Sequence, residues 1–222
     1  MVKNKILVSI TGSTEKEWQD KLKEINNLKI KEVALFLEIF ENTQREKIYK
    51  ALKISCVKNI PLVHIRHDMT KDELEFLKEN YKTKYFTCHE ENFVHHDVEN
   101  WKGFYKNIYL EMNFDNFVSK KVNVEKVSGF CVDLAHFKVG LEKLSKDFEY
   151  IFDRKDKKLF VCNHLNGWNP EKNIDMHIIH NLKDFDYLKT LPKFVLGKII
   201  ALETFNSIKE QLDFKKYLEE IL

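Results

Sequence analysis

Glycine and proline are scarce in this chain, with 6 Gly and 3 Pro among 222 residues. Small all-β folds join many short strands through tight turns that use both residue types, so long regular elements are favoured instead. An excess of charge of one sign is also lacking, because Lys+Arg 37 nearly balances Asp+Glu 35 and leaves a net charge of +2. The total charge therefore gives no signal for a polyanionic partner.

Long apolar runs and paired cysteines are missing as well. No apolar stretch reaches the ~18 residues of a membrane-spanning helix, so we expect no membrane partner. The four cysteines are widely spaced without a C-x-x-C pair, and no signal peptide is evident, which predicts reduced thiols in a cytoplasmic protein. Hydrophobic residues make up 43% of the chain, and this content excludes intrinsic disorder as the main state.

Two hydrophobic periodicities alternate along the chain. Eight short apolar or alternating runs predict β-strands, at residues 6–10, 33–40, 61–66, 84–89, 107–113, 127–134, 158–164 and 195–204. Polar stretches with helical spacing separate most of them, at residues 13–27, 42–55, 70–81, 136–151 and 206–222. This alternation predicts an α/β fold, a single (β/α)8 TIM barrel over residues 1–222 that is compact and has short loops. The alternative is a doubly wound open sheet, whose G-x-G-x-x-G turn is absent after the first strand.

Ionisable side chains collect at the carboxyl ends of the predicted strands. Counting in twos along each strand places them on the inward face, after apolar positions. They are Glu38, His64, Arg66, His89, Glu111, Asp133, His164 and Glu203, with His136 just beyond the sixth strand. Buried carboxylates repel one another, and a divalent cation removes that cost. Mixed histidine and carboxylate donors suit Zn²⁺, with Mn²⁺ or Fe²⁺ as alternatives, and a rim of ordinary salt bridges is the competing interpretation.

A further pair of candidate ligands follows the seventh strand. Asp175 and His177 are two residues apart on a predicted extended loop, so their side chains point the same way. Together with His136 they supply three donors for another cation. A D-x-H triplet is common by itself, and its value here is its position eleven residues after the strand-end His164.

These residues resemble motifs of the xylose-isomerase-like TIM barrel superfamily, and most of all those of its endonuclease IV branch (AP endonuclease family 2). Residues 129–136 read G-F-C-V-D-L-A-H, similar to the sixth-strand motif G-x-C-x-D-x-x-H of that branch. The segments 164–166 (H-L-N), 175–177 (D-M-H) and 201–204 (A-L-E-T) resemble its later motifs. Residues 110–113 (L-E-M-N) resemble its fifth-strand L-E-N with one residue inserted. The resemblance covers residues 107 to 205.

The resemblance implies three divalent metal ions, usually zinc, and a role for each candidate ligand. Glu111 would bridge the first two metals. His89 and a third-strand histidine would complete the first site. That histidine is either His64, which has the inward parity, or His67, whose His-Asp pair resembles the family's. The remaining implied ligands are Asp133, His164 and Glu203 for the second metal and His136, Asp175 and His177 for the third.

Two enzymatic functions are compatible with these residues, and a non-catalytic relative is the third alternative. The first is a phosphoester hydrolase resembling endonuclease IV, which would cut abasic DNA with a hydroxide activated by bound metals. The second is a metal-dependent isomerase or epimerase of a sugar or small sugar phosphate, in which Glu111 and Glu203 shuttle a proton. Arg66 is a candidate phosphate-binding residue, with a structural ion pair as the alternative. Motif spacings shorter than those of the endonuclease branch leave little room for DNA-gripping loops, and no obligate protein partner is evident.

Overall fold

Nine parallel strand segments form one sheet in the computed structural model, which describes residues 4–92, 99–111, 126–144 and 160–222. The segments are β1 (Lys5–Leu7), β2 (Ser9–Ile10), β3 (Ala34–Phe36), β4 (Leu62–His64), β5 (Tyr85–His89), β6 (Ile108–Glu111), β7 (Gly129–Asp133), β8 (Phe160–Leu165) and β11 (Ile199–Leu202). A separate antiparallel hairpin consists of β9 (Gly167–Asn169) and β10 (Ile174–Met176).

The first predicted strand is broken in two, and the break closes the barrel. β1 pairs with β11, where Leu7 lies opposite Ala201, and β2 pairs with β3, where Ile10 lies opposite Leu35. Only Val8 separates β1 from β2, although they stand at the two ends of the strand order β1-β11-β8-β7-β6-β5-β4-β3-β2. The sheet therefore returns to the strand at which it began. The predicted α/β barrel is confirmed, and the open-sheet alternative is wrong.

Helices follow the strands at the predicted places. The α-helices among the described residues are α1 (Glu15–Asn27), α2 (Asn42–Ile54), α3 (Lys71–Tyr81), α4 (Leu134–Lys143) and α5 (Ile208–Ile221), with 3-10 helices at Glu99–Trp101, Tyr105–Asn107, Leu182–Thr190 and Lys193–Val195. Thr14, Thr70 and Ser207 begin α1, α3 and α5, each through a capping box with the glutamate three residues on. The helix predicted over 136–151 already begins at Leu134, and residues 145–151 lie outside the described part of the chain.

The last strand starts later than predicted. The prediction placed it over 195–204, whereas β11 begins at Ile199. Buried Asn163 of β8 holds the preceding segment in an irregular path, because its amide donates to the Val195 carbonyl (2.8 Å) and its oxygen accepts from the Gly197 N–H (2.6 Å). A Cβ at Gly197 would lie 2.5 Å from backbone atoms of Val161, so only glycine fits this close approach.

Two further segments differ from the predicted elements. The strand predicted over 33–40 ends at Phe36, and the chain then turns so that the Phe40 N–H donates to the Leu37 carbonyl (3.0 Å). The extended loop predicted after the seventh strand contains the β9–β10 hairpin, in which Asp175 pairs with Trp168. Both differences lie at the carboxyl end of the barrel, the end at which the candidate ligands lie.

A buried polar network fastens the closing seam between β2 and β11. The Ser9 hydroxyl donates to the Leu202 carbonyl, and the Ser9 N–H donates to the Gln211 side chain (2.7 Å). Lys21 of α1 donates to the Thr204 carbonyl (2.7 Å), just past the end of β11. All three polar side chains are buried. An unsatisfied buried donor or acceptor costs about 1–3 kcal/mol, so this network holds the carboxyl end of β11 in one position.

We expect Lys21 to make stability rise with pH. Burial lowers the pKa of Lys21 from 10.5 to about 7, although the carboxylates of Glu17, Glu24 and Glu210 act in the opposite direction. Between those two pH values the unfolded chain carries a proton that the folded chain lacks, so the free energy of unfolding rises by at most ~1.4 kcal/mol per pH unit. Urea unfolding from pH 7 to 9 should show this slope in the wild type and not in Lys21→Met. Parallel stability curves for the two proteins would contradict the assignment.

Candidate metal centre

An apolar layer fills the barrel and forms the floor beneath the ionisable side chains. Its members are Leu7, Ala34, Phe36, Leu62, Cys131, Cys162, Ile199 and Ala201, all of them buried. The Phe36 ring centroid lies 5.9 Å from that of His64 and 4.9 Å from that of His164. Each histidine follows an apolar floor residue by two positions on its strand, so the strand pleat aims it at the barrel axis.

Glu111 is the residue on which the predicted ligands converge. Its Oε2 lies 3.1 Å from His164 Nδ1, 3.2 Å from His64 Nδ1 and 3.5 Å from His89 Nε2. The strand register explains this arrangement in part, because Glu111 of β6 is directly opposite His89 of β5. The Glu111 side chain is only 2% exposed, so it is shielded from the solvent that would otherwise screen these contacts.

Four of the candidate ligands come close enough to share one cation. One donor atom from each of Glu111, Asp133, His164 and Glu203 lies within 4.8 Å of all the others, and His64, Glu111 and His164 form an overlapping group. The predicted inward positions are therefore brought together from strands β4, β6, β7, β8 and the residue after β11. His89 adjoins these groups through Glu111.

Orphaned polar atoms within these groups fit a metal ion better than ordinary salt bridges. Glu111 Oε2 and His164 Nδ1 are both fully buried and lie 3.1 Å apart, but this ion-pair contact lacks hydrogen-bond geometry, and no other described residue supplies either atom with a hydrogen bond. Buried polar atoms without partners are rare in folded proteins and call for an unseen ligand. A divalent cation would satisfy both atoms, and these groups offer it mixed nitrogen and oxygen donors.

The third predicted group gathers beside the second. His177 Nε2 lies 3.2 Å and His136 Nε2 3.6 Å from the same Asp175 oxygen. His177 Nδ1 is 3.0 Å from the backbone carbonyl of Glu203, which can only accept, so Nδ1 carries a proton and Nε2 is the nitrogen that can bind a cation once it is deprotonated. Asp133 connects the two regions, because its Oδ2 is 4.0 Å from His136 Nδ1.

Two neutral side chains that sequence reasoning assigned no role hold the ligands in place. The Thr87 hydroxyl oxygen lies 3.1 Å from His64 Nδ1 and 3.0 Å from His164 Nε2, so it links the two rings. The Asn166 amide donates to Asp133 Oδ2 (3.2 Å). Thr87 occupies the inward position before His89, so the strand alternation could have identified it. Asn166 belongs to the H-L-N segment, so the motif could have identified it. Such supporting contacts fix ligand orientation.

In the absence of a cation, the protonation states of the groups depend on one another. Burial acts to raise the pKa of Glu111, but His164 and His64 hold it well below its usual range. Burial acts to lower the pKa of His164, but the Glu111 and Glu203 carboxylates hold it well above its usual range. Burial also lowers the pKa of His64 well below its usual range, with Glu111 opposing. Glu111 and His164 therefore form an ion pair beside a neutral His64.

The third group is charged in the same manner. Hydrogen bonding from His136 and His177 holds the pKa of Asp175 far below its usual range. Burial would lower the pKa of His136, but the Asp133 carboxylate and Asp175 raise it to about 10. Burial would also lower the pKa of His177, but the hydrogen bond with Asp175 raises it to about 9. A cation that binds these histidines must displace their protons, so metal binding at this group should release protons.

The structure also places the remaining predicted residues. His67 lies half-buried in the turn after β4, and neither of the two donor groups described above includes it. His64 belongs to the group that also contains Glu111 and His164. Arg66 lies at the rim, partly exposed, with its Nε 3.4 Å from Asp68 Oδ1. Asp68 also accepts from the buried guanidinium of Arg45 (2.9 Å). The ion pair expected as the alternative for Arg66 is therefore present.

No protein-family model matches this chain, and no curated protein matches it either. Within the described ranges, no helix is both long enough and apolar enough to cross a membrane. The barrel and its convergent donor groups are therefore the observations on which a function can be argued.

Proposed function

We propose that this protein is a divalent-metal-dependent phosphoester hydrolase that cuts DNA at abasic sites. The observation that carries the proposal is the extent of the donor cluster. Histidine and carboxylate donors continue from His64 and His89 through Glu111 to Asp175 and His177 without a break. This supply exceeds what one cation needs, and paired or triple metal centres are typical of phosphoester hydrolysis.

Each part of the cluster has a role in the proposed reaction. Glu111 would lie between a first cation, held also by His64 and His89, and a second held also by Asp133, His164 and Glu203. His136, Asp175 and His177 would hold a third. When bound, the cations would lower the pKa of water and stabilise the charge that develops on the phosphoryl oxygens.

The chain's own residues orient these groups and contact the substrate. Asn166 and Thr87 fix ligand orientation through the hydrogen bonds described above, and the Lys21 contact with Thr204 anchors the segment that carries Glu203. Arg66 lies partly exposed at the same end of the barrel, where it can approach a phosphate. Its contact with Asp68 would then orient the guanidinium.

A second candidate function is isomerisation of a sugar or sugar phosphate. The group of Glu111, Asp133, His164 and Glu203 favours it, because these four donors form a complete single-metal site by themselves. Two of its carboxylates, Glu111 and Glu203, come from different strands and can exchange a proton with a bound substrate. In that function the Asp175 and His177 pair would have no metal to bind.

The number of bound metals separates the two functions. We expect the purified chain, loaded with zinc or manganese and dialysed, to retain roughly two or three ions per chain and to nick a duplex oligonucleotide that carries one abasic site. Elemental analysis and a gel-based nicking assay measure both quantities, and an intact duplex of the same sequence is the control. One ion per chain together with isomerisation of aldose phosphates would overturn the hydrolase in favour of the isomerase.

A further inference from the structure

Glu38 is an ionisable residue of the barrel to which neither the metal groups nor the family motifs assign a role. It follows β3 by two residues, in the turn that the hydrogen bond from Phe40 to Leu37 closes. Its position continues the inward alternation of Ala34 and Phe36, which are both buried in the apolar floor. Glu38 therefore lies at the carboxyl end of β3, which is the same end of the barrel as the donor groups.

One oxygen of the Glu38 carboxylate, Oε2, is buried and lacks a hydrogen-bond partner among the described residues. Burial raises the pKa of Glu38 to about 8, with a further contribution from the Glu203 carboxylate. The backbone N–H of Glu38 and His164 act in the opposite direction and favour the carboxylate, as a bound cation would. The electrostatic influence of Glu203 and His164 places the Glu38 carboxylate near the metal groups. A buried carboxylate oxygen needs a donor, and none of the described side chains supplies one.

The missing donor is best supplied by a molecule that enters with the reaction. Glu38 is absent from both groups whose donor atoms lie within 4.8 Å of one another, so it is set back from the positions that share one cation. A water molecule between Glu38 and those groups would donate one proton to Oε2 and still present its oxygen to a cation. Such a water has the two partners that fix its orientation.

We propose that Glu38 is a further catalytic residue, whose Oε2 accepts a hydrogen bond from the water that attacks phosphorus. This inference rests on the proposed hydrolase function. Glu38 holds the water in one orientation relative to the phosphoester, while the neighbouring metal groups position the substrate. Loss of such orientation lowers the rate of the chemical step and leaves substrate binding unchanged, and a misplacement of ~1 Å can cost about 100-fold.

The test compares Glu38→Gln with Glu38→Ala and with the matched control Glu171→Gln, an exposed residue of the β9–β10 turn. Zinc or manganese content, circular dichroism and steady-state nicking of an abasic duplex are measured for each protein. We expect kcat to fall about 100-fold in Glu38→Ala and less in Glu38→Gln, whose amide oxygen can still accept the hydrogen bond, with KM and metal content unchanged in both and no effect in the control. Two variants are used so that a folding failure of one leaves the other informative.

Each other outcome overturns a defined part of the argument. An active wild type with fully active Glu38 variants overturns the role of Glu38 alone. A rise in KM without a fall in kcat places Glu38 on the substrate instead of the water, and loss of a metal ion makes it a ligand, so both reject the inference. A wild type that retains its metals and cleaves no abasic duplex overturns the proposed function, and the role of Glu38 falls with it.

Discussion

Replacing Glu111 by glutamine should abolish nicking of abasic DNA and weaken metal binding, while the chain still folds. Three histidines from three strands contact the Glu111 carboxylate, so the change removes the one negative charge that the proposed first and second cations share. We expect activity to fall on the order of 10³-fold or more and metal affinity on the order of 100-fold. Nicking rates and isothermal titration with zinc measure the two effects.

Folding should survive because the partner of Glu111 can change its protonation state. His164 is held in its charged form by the Glu111 and Glu203 carboxylates. Without Glu111 it can release its proton, which avoids the large cost of a buried unpaired charge. Circular dichroism should show the wild-type spectrum. Unchanged zinc affinity in Glu111→Gln, with Glu171→Gln as the control, would reject the ligand role of Glu111.

The barrel was predictable because its strands repeat one simple rule. Most strands alternate apolar residues toward the axis and lead to an ionisable side chain at the carboxyl end, as in the pairs Cys162 with His164 and Ala201 with Glu203. This parity places side chains on one face whatever the surrounding loops do. It also accounts for the contact between His64 and Glu111, since His64 has the inward position in β4.

The features that the sequence did not predict depend on contacts between distant residues. The late start of β11 results from the buried amide of Asn163, which binds Val195 and Gly197 more than 30 residues away. The bond from Thr87 to His164 spans 77 residues. Hydrophobic periodicity reports on residues within one helix or strand, so it cannot predict hydrogen bonds between residues that are far apart in the sequence. The hairpin that carries Asp175 is local, and it was not predicted because the residues around its pairing partner Trp168 have no distinctive strand pattern.

Replacing Asp175 by alanine should remove one metal ion per chain and leave the others bound. Asp175 contacts both His136 and His177, and it lies on the hairpin outside the barrel strands. Its loss breaks up the third donor group without touching the group around Glu111. If the third cation stabilises charge in the reaction, nicking should fall by about 100-fold or more.

The Asp175→Ala experiment is decisive because the two candidate functions give opposite results. Elemental analysis after dialysis counts the ions, and Asp213→Ala on the exposed face of α5 is the matched control. A hydrolase should lose one ion and most of its nicking activity in Asp175→Ala and neither in Asp213→Ala. A single-metal isomerase needs only Glu111, Asp133, His164 and Glu203, so its metal content would not change. An unchanged ion count would therefore reject the third metal site and with it the main argument for phosphoester hydrolysis.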